Sequence, residues 1–180
     1  MNITQNLHKN TWFFLGYFIF NGILTTKTSR FRTNNKSKEK VIYITIHEKY
    51  TSILNLFREF LDLILSDSIT YKHMYKVNET QYNKQYFELL EQFNNSKGKI
   101  IPNNVIPEQH IKEFLLGSYL SSNFYTLNHY QLKIPIHKYN FSTIFLDVAI
   151  GIQKLYKLLE INVNIRKITE GKYEIFKINI

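Results

Sequence analysis

From Lys9 to Asn21 nearly every position is apolar, whichever face of a helix it would occupy, which predicts one continuous buried helix. The pattern stops at Asn21-Gly22, where glycine's tolerance of left-handed backbone offers a helix end. Ile23 to Arg32 then alternates weakly, Thr33 to Lys40 is polar and reads as a loop, and Val41 to His47 alternates well, so a hairpin is expected. Between Thr51 and Leu65 the apolar residues Ile53, Leu54, Phe57, Phe60, Leu61 and Ile64 recur at helical spacing, with Arg58, Glu59 and Asp62 opposite. That is the pattern of a helix covering a sheet. Ile69 to Val77 reads as one strand, and Tyr82 to Phe93 as a second helix or helix-strand segment.

Asn94 to Pro107 gathers Asn, Ser, Gly and two Pro, the strongest cluster of breakers in the chain. Pro107-Glu108 suits the first turn of a helix that continues to Ser121. Asn123 to Leu127 and Tyr130 to His137 follow as a strand pair, then an amphipathic helix from Phe141 to Leu159. A last hairpin runs from Asn162 to Lys167 and from Tyr173 to Ile180, turned at Thr169-Glu170-Gly171-Lys172. The order helix, two strands, helix, two strands thus occurs twice, with a period of about 90 residues that is too long for a solenoid. The expected fold is α+β: a pseudo-two-fold pair of α-β-β-α-β-β units, residues 1–97 and 98–180, in one compact domain.

Phe13 to Gly22 reads FFLGYFIFNG and Phe114 to Asn123 reads FLLGSYLSSN. Both segments resemble the motif helix of the LAGLIDADG homing endonucleases and their maturase relatives. The element series after each motif matches that family's unit. The resemblance implies that the two helices pack face to face along a pseudo-dyad, with Gly16 and Gly117 allowing close backbone approach, and that antiparallel sheets form a saddle over nucleic acid.

In that family an acid five residues beyond the glycine binds divalent metal and activates water. The corresponding residues here are Asn21 and Ser122, degenerate catalytic positions without negative charge. The acid three beyond the glycine is likewise replaced, by Ile19 and Leu120. The expectation is a catalytically inactive chain that is no enzyme, with no catalytic residue, no metal and no cofactor. The six histidines show no ligand spacing, and no GxSxG elbow occurs.

Composition adds a partner. The 180 residues carry 23 Lys+Arg against 14 Asp+Glu, a formal charge of +9 that attracts polyanions, nucleic acid first among them. Lys27, Arg30, Arg32, Lys36, Lys38 and Lys40 concentrate on the first hairpin, opposed by Glu39. Lys72 and Lys76 in the first unit, and Lys133 and His137 in the second, interleave with aromatics that could stack on bases. The absence of cysteine excludes disulfides, thiolate catalysis and cysteine-bound zinc. The apolar stretch Thr11 to Leu24, about 14 residues, is short of the ~20 that span a bilayer, and no membrane span is expected. Frequent Asn, Lys, Ile and Tyr, with A+T-rich codons, fit an organelle genome, mitochondrial or alternatively plastid. The function expected from these features is binding of structured RNA, as a component of an organellar ribosome in contact with rRNA and neighbouring ribosomal proteins. The alternatives are a group I intron maturase or residual DNA endonuclease, and an accessory subunit of an organellar membrane complex.

Overall fold

The structure, a computed structural model, describes residues 9–29, 37–45, 68–71, 74–78, 84–95, 98–122, 136 and 139–179. The expected helix Thr51–Leu65 and the strands Asn123–Leu127 and Tyr130–His137 lie outside the described residues. The chain divides into two compact units, one made of Met1–Phe20 with Gln92–Ile180 and the other of Asn21–Glu91.

The second of these units holds a four-stranded antiparallel sheet, β1 (Gly22–Ser29), β2 (Ser37–Thr45), β3 (Ser68–Tyr71) and β4 (Met74–Asn78), in the order β1-β2-β4-β3. Three sequence expectations are corrected here. Gly22 does not take a left-handed conformation; it opens β1 directly, paired with Ile44. The polar stretch Ser37–Lys40 is strand rather than loop, because pairing with Thr26–Ser29 carries the ladder past the apolar residues. Ile69–Val77 is not one strand but two, β3 and β4, paired antiparallel with Tyr71 opposite Met74.

The other unit is built on two helices, α1 (Lys9–Asn21) and α3 (Ile111–Ser122), the latter preceded by a 3₁₀ turn, Glu108–His110. Helix α2 (Lys84–Gln92) leads from the first sheet to a two-residue hairpin, β5 (Asn94–Asn95) with β6 (Gly98–Lys99). After α3 come β7 (Phe141–Thr143), α4 (Leu146–Leu158), β8 (Asn164–Glu170) and β9 (Tyr173–Asn179), whose sheet order is β7-β9-β8. Phe141–Thr143 had been assigned to the helix by its apolar pattern; it pairs with Phe176–Ile178 instead, and Thr143 Oγ1 accepts the Phe145 N–H just before α4 begins.

Apolar residues on all sides of α1 and α3 make sense once their burial is seen: Trp12, Phe18, Phe114 and Leu115 are wholly inaccessible. From the sheet, Phe141, Phe176 and Ile178 point into the same core, where Phe141 meets Tyr156 of α4 edge-on. The opposite face of β7-β9-β8 carries Lys177 and the exposed Ser142, Asn164, Arg166 and Asn179, together with the half-buried Ile168 and Ile175. Helix α4 ends at Leu158; the Tyr156 carbonyl accepts N–H bonds from Leu159 and Ile161, and Glu160 takes a left-handed φ of 60°.

Candidate nucleic-acid interface

Helices α1 and α3 meet at their glycines. A Cβ at Gly16 would overlap the Phe114 carbonyl oxygen and stand 3.0 Å from the Ser118 nitrogen. A Cβ at Gly117 would overlap the Phe13 carbonyl oxygen and stand 2.9 Å from the Tyr17 nitrogen. The contact is reciprocal, since each glycine faces the residue three positions before the other. Such backbone-to-backbone contact leaves no room for any side chain. One turn further on, the buried Ser121 hydroxyl donates to the Tyr17 carbonyl at 2.7 Å and ties the helices together.

The last turns of the two helices form the end at which the resemblance places a metal centre. Ser122 Oγ donates to the Tyr119 carbonyl at 3.1 Å, as a serine does when it satisfies its own helix end. Asn21 closes α1. Neither residue can carry negative charge, and among the described residues no group of three or more His, Asp or Glu could hold a metal ion. A neutral amide and a hydroxyl already engaged with the backbone do not fit a divalent cation, which these folds would hold by carboxylate charge.

A residue that sequence reasoning passed over occupies this end. Lys99, in β6, donates to the Phe18 carbonyl in the last turn of α1 at 3.1 Å, and its Nζ lies 5.5 Å from the centre of the Phe18 ring. A cation there opposes the negative end of the helix dipole. Burial strips water from the ammonium and lowers its pKa from 10.5 to about 8. In the sequence Lys99 sits in a stretch of loop-forming residues, and nothing in its neighbours marks it; only the two-residue hairpin brings it to α1.

Beside this end lies an aromatic layer. Tyr119 stacks on Tyr139 at 4.4 Å, and Phe141 touches both edge-on. Tyr156 donates its hydroxyl to the Ile136 carbonyl at 2.9 Å. Burial raises the pKa of all three tyrosines, that of Tyr139 to about 12, with neighbouring tyrosines adding to the rise at Tyr139 and Tyr156. They are buried packing groups rather than acids or bases.

The surface suited to a polyanion is the uncovered face of β7-β9-β8. Registers Ser142 to Lys177, Arg166 to Lys177 and Asn164 to Asn179 align these residues on the face opposite Phe141, Phe176 and Ile178. Arg166, Asn164, Ser142 and Asn179 are exposed. Lys177 has one weak ionic neighbour, Glu170 at 3.9 Å. The sequence offered β8 and β9 as a hairpin, yet its basic residues were overlooked because they are spread among isoleucines instead of forming a run.

Of the expected contact residues, Lys27 lies opposite Glu39, Lys38 opposite Thr28, Lys40 opposite Thr26, and Lys76 between Tyr43 and Ile69 in the first sheet. That sheet therefore brings Lys27, Lys38, Lys40 and Lys76 onto three adjoining strands. Arg30, Arg32, Lys36, Lys72, Lys133 and His137 lie outside the described residues. Among the described residues no helix is long and apolar enough to cross a membrane.

No protein-family model matches the sequence, and no curated protein does. Solved structures do match. The homing endonuclease I-DmoI, in a complex with target DNA nicked in the coding strand and in the presence of manganese, superposes with a TM-score of 0.62 at 15% identity, over 100% of this chain and 90% of that one. I-DmoI with DNA and calcium gives 0.62 at 14% identity, over 100% and 85%. The meganuclease I-SmaMI bound to uncleavable DNA gives 0.53 at 11%, over 93% and 78%. These neighbours correct the expectation that the chain is no enzyme: the architecture it shares is that of endonucleases, and two lost carboxylates do not by themselves set it outside that class.

Proposed function

The chain has the fold of the LAGLIDADG homing endonucleases, and from that premise we propose that it binds duplex nucleic acid, DNA in the first instance, across the outer face of its β7-β9-β8 sheet. The observation that carries this reading is the outer face of β7-β9-β8, where Arg166 and Lys177 stand side by side among Ser142, Asn164 and Asn179, with Ile168 and Ile175 further along. Arginine and lysine neutralise phosphates and fix the protein on the duplex. Asparagine amides can pair with base edges, and a two- or three-stranded antiparallel ribbon fits the major groove. In the first sheet the register sets Lys27 and Lys76 on one face and Lys38 and Lys40 on the other, and the net charge of +9 supplies long-range attraction.

At the helix ends the chain's own residues do two things. Gly16 and Gly117 hold α1 and α3 in contact, and Lys99 places one cation at the end of α1. Phosphodiester cleavage, if tested with magnesium, reads directly whether this end supports chemistry. The proposed binding is tested by anisotropy titration of a labelled duplex DNA at several salt concentrations. Affinity that falls steeply with salt is expected, and affinity independent of salt overturns the proposal.

A second reading has its own observation. Asn21 and Ser122 leave the helix ends without the charge that metal-dependent cleavage uses, and the composition fits an organelle genome. Both favour structured RNA as the ligand, either rRNA within an organellar ribosome or a group I intron bound as a maturase does. Tighter binding of a structured RNA than of a DNA duplex at equal salt would select this reading. Tighter binding of DNA would sink it.

A further inference from the structure

The charge and the sheets account for one side of the second half of the chain, but the outer side of α4 carries a feature they do not use. Ile101 and Pro102 lie against the C-terminal half of α4 and, with Gly151, Leu155 and Leu158, enclose a groove of about 490 Å³. It is preformed. A Cβ at Gly151 would stand 2.5 Å from the Ile101 Cβ, so the absent side chain is what lets the loop close on the helix. Ile101 and Leu155 are buried and form the floor, whereas Leu158 is 58% exposed at the rim. Leu158 thus leaves apolar surface at the mouth of a concave site whose floor is apolar.

The rim is basic. Lys154 and Lys157, both exposed, line the groove, and Lys154 is held in place by a 3.0 Å bond to Asn103 Oδ1. No carboxylate lines it; Glu160 follows the helix but does not contribute. The groove also lies away from the open sheet face, because α4 packs by Tyr156 against Phe141 on the covered face. It can therefore be filled while a polyanion occupies the strands.

We propose that this groove docks a segment of a partner protein that is apolar on one side and acidic on the other. Apolar side chains would fill the floor against Ile101, Leu155 and Leu158, and carboxylates would meet Lys154 and Lys157. The apolar floor argues against nucleic acid, whose phosphates would find two lysines but no use for a leucine rim. The volume accommodates about two large side chains, within the range of about 300–1,000 Å³ common to specific pockets.

The test uses the full chain and a fluorescein-labelled amphipathic peptide with leucine at helical spacing and glutamate elsewhere, followed by anisotropy. Saturable binding is expected, weakened at least tenfold by Lys154→Glu with Lys157→Glu and at least fivefold by Leu158→Ala. All three positions are exposed, so the variants keep the fold, which an unchanged circular dichroism spectrum checks. Failure of the peptide to bind, equal binding by the variants, or equal binding of the matching lysine-leucine peptide overturns the proposal. Displacement of the peptide by a duplex DNA also overturns it, since the groove would then belong to the nucleic-acid surface; retention of the duplex affinity in the variants keeps this outcome separate from failure of the nucleic-acid reading.

Discussion

Gly16→Ala inverts the usual effect of the substitution. In an unpacked helix alanine is favoured over glycine by about 1 kcal/mol. At Gly16 the new methyl meets backbone, overlapping the Phe114 oxygen and standing 2.9 Å from its carbonyl carbon. Carbon contacts are comfortable at ~3.5–4.0 Å, so α3 must retreat by about 1 Å, and a buried helix cannot do that locally. Overpacking of this kind costs about 1–3 kcal/mol, and here the upper end applies because no flexible side chain can yield. The retreat also stretches the 2.7 Å bond from Ser121 to Tyr17, a further loss of about 1 kcal/mol. Set against the propensity gain, the net destabilisation is about 2–3 kcal/mol. Trp12, the only tryptophan and wholly buried, reports it as a fluorescence-detected shift in urea midpoint. Gly117→Ala should cost a similar amount, and the double variant less than the sum, because one retreat of the helices admits both methyls. A Gly16→Ala protein as stable as the parent, or more stable, refutes the close crossing.

Other variants probe separate parts of the account. Lys99 titrates at about 8 when folded and 10.5 when unfolded, so the unfolded chain binds more protons between those values. Stability should therefore rise from pH 8 toward pH 10, and Lys99→Met should abolish that rise in denaturation midpoints compared at pH 7.5 and 9.5. Above pH 10 the raised pKa values of Tyr119, Tyr139 and Tyr156 act in the opposite sense, with stability falling as the unfolded tyrosines ionise first, a fall that Tyr139→Phe should lessen. Glu160→Gly relieves a left-handed φ of 60° and should raise stability by up to about 1 kcal/mol; a loss would mean that the glutamate makes a contact worth more than the strain.

Helices α1 and α3 were legible because each holds a run of large apolar residues, Trp12–Phe20 and Phe114–Leu120, interrupted only by a glycine or serine, and the boundaries Lys9–Asn21 emerge from the pattern alone. Strands were legible only where apolar alternation ran through them. Ser37–Lys40 has the composition of a loop and becomes strand because a partner is already aligned beside it. Between Tyr71 and Met74 the sequence has no glycine or proline, so the two short strands β3 and β4 read as one. The site followed the same division. Gly16 and Gly117 stand out in sequence because a glycine inside a helix needs a reason. Lys99 and the Arg166–Lys177 pair do not, because their significance comes from a hairpin and a strand register that no local pattern encodes.

The central claim is that the open sheet face binds nucleic-acid phosphates. It is tested most directly by the salt dependence of duplex DNA binding for the parent and for Arg166→Ala with Lys177→Ala. The parent should show a slope of log affinity against log salt of about −3 or steeper, and the double variant a slope shallower by about 1.8, one counterion release of about 0.9 for each lost contact. Identical slopes for the two proteins, with the variant fully folded, would contradict the assignment of that face.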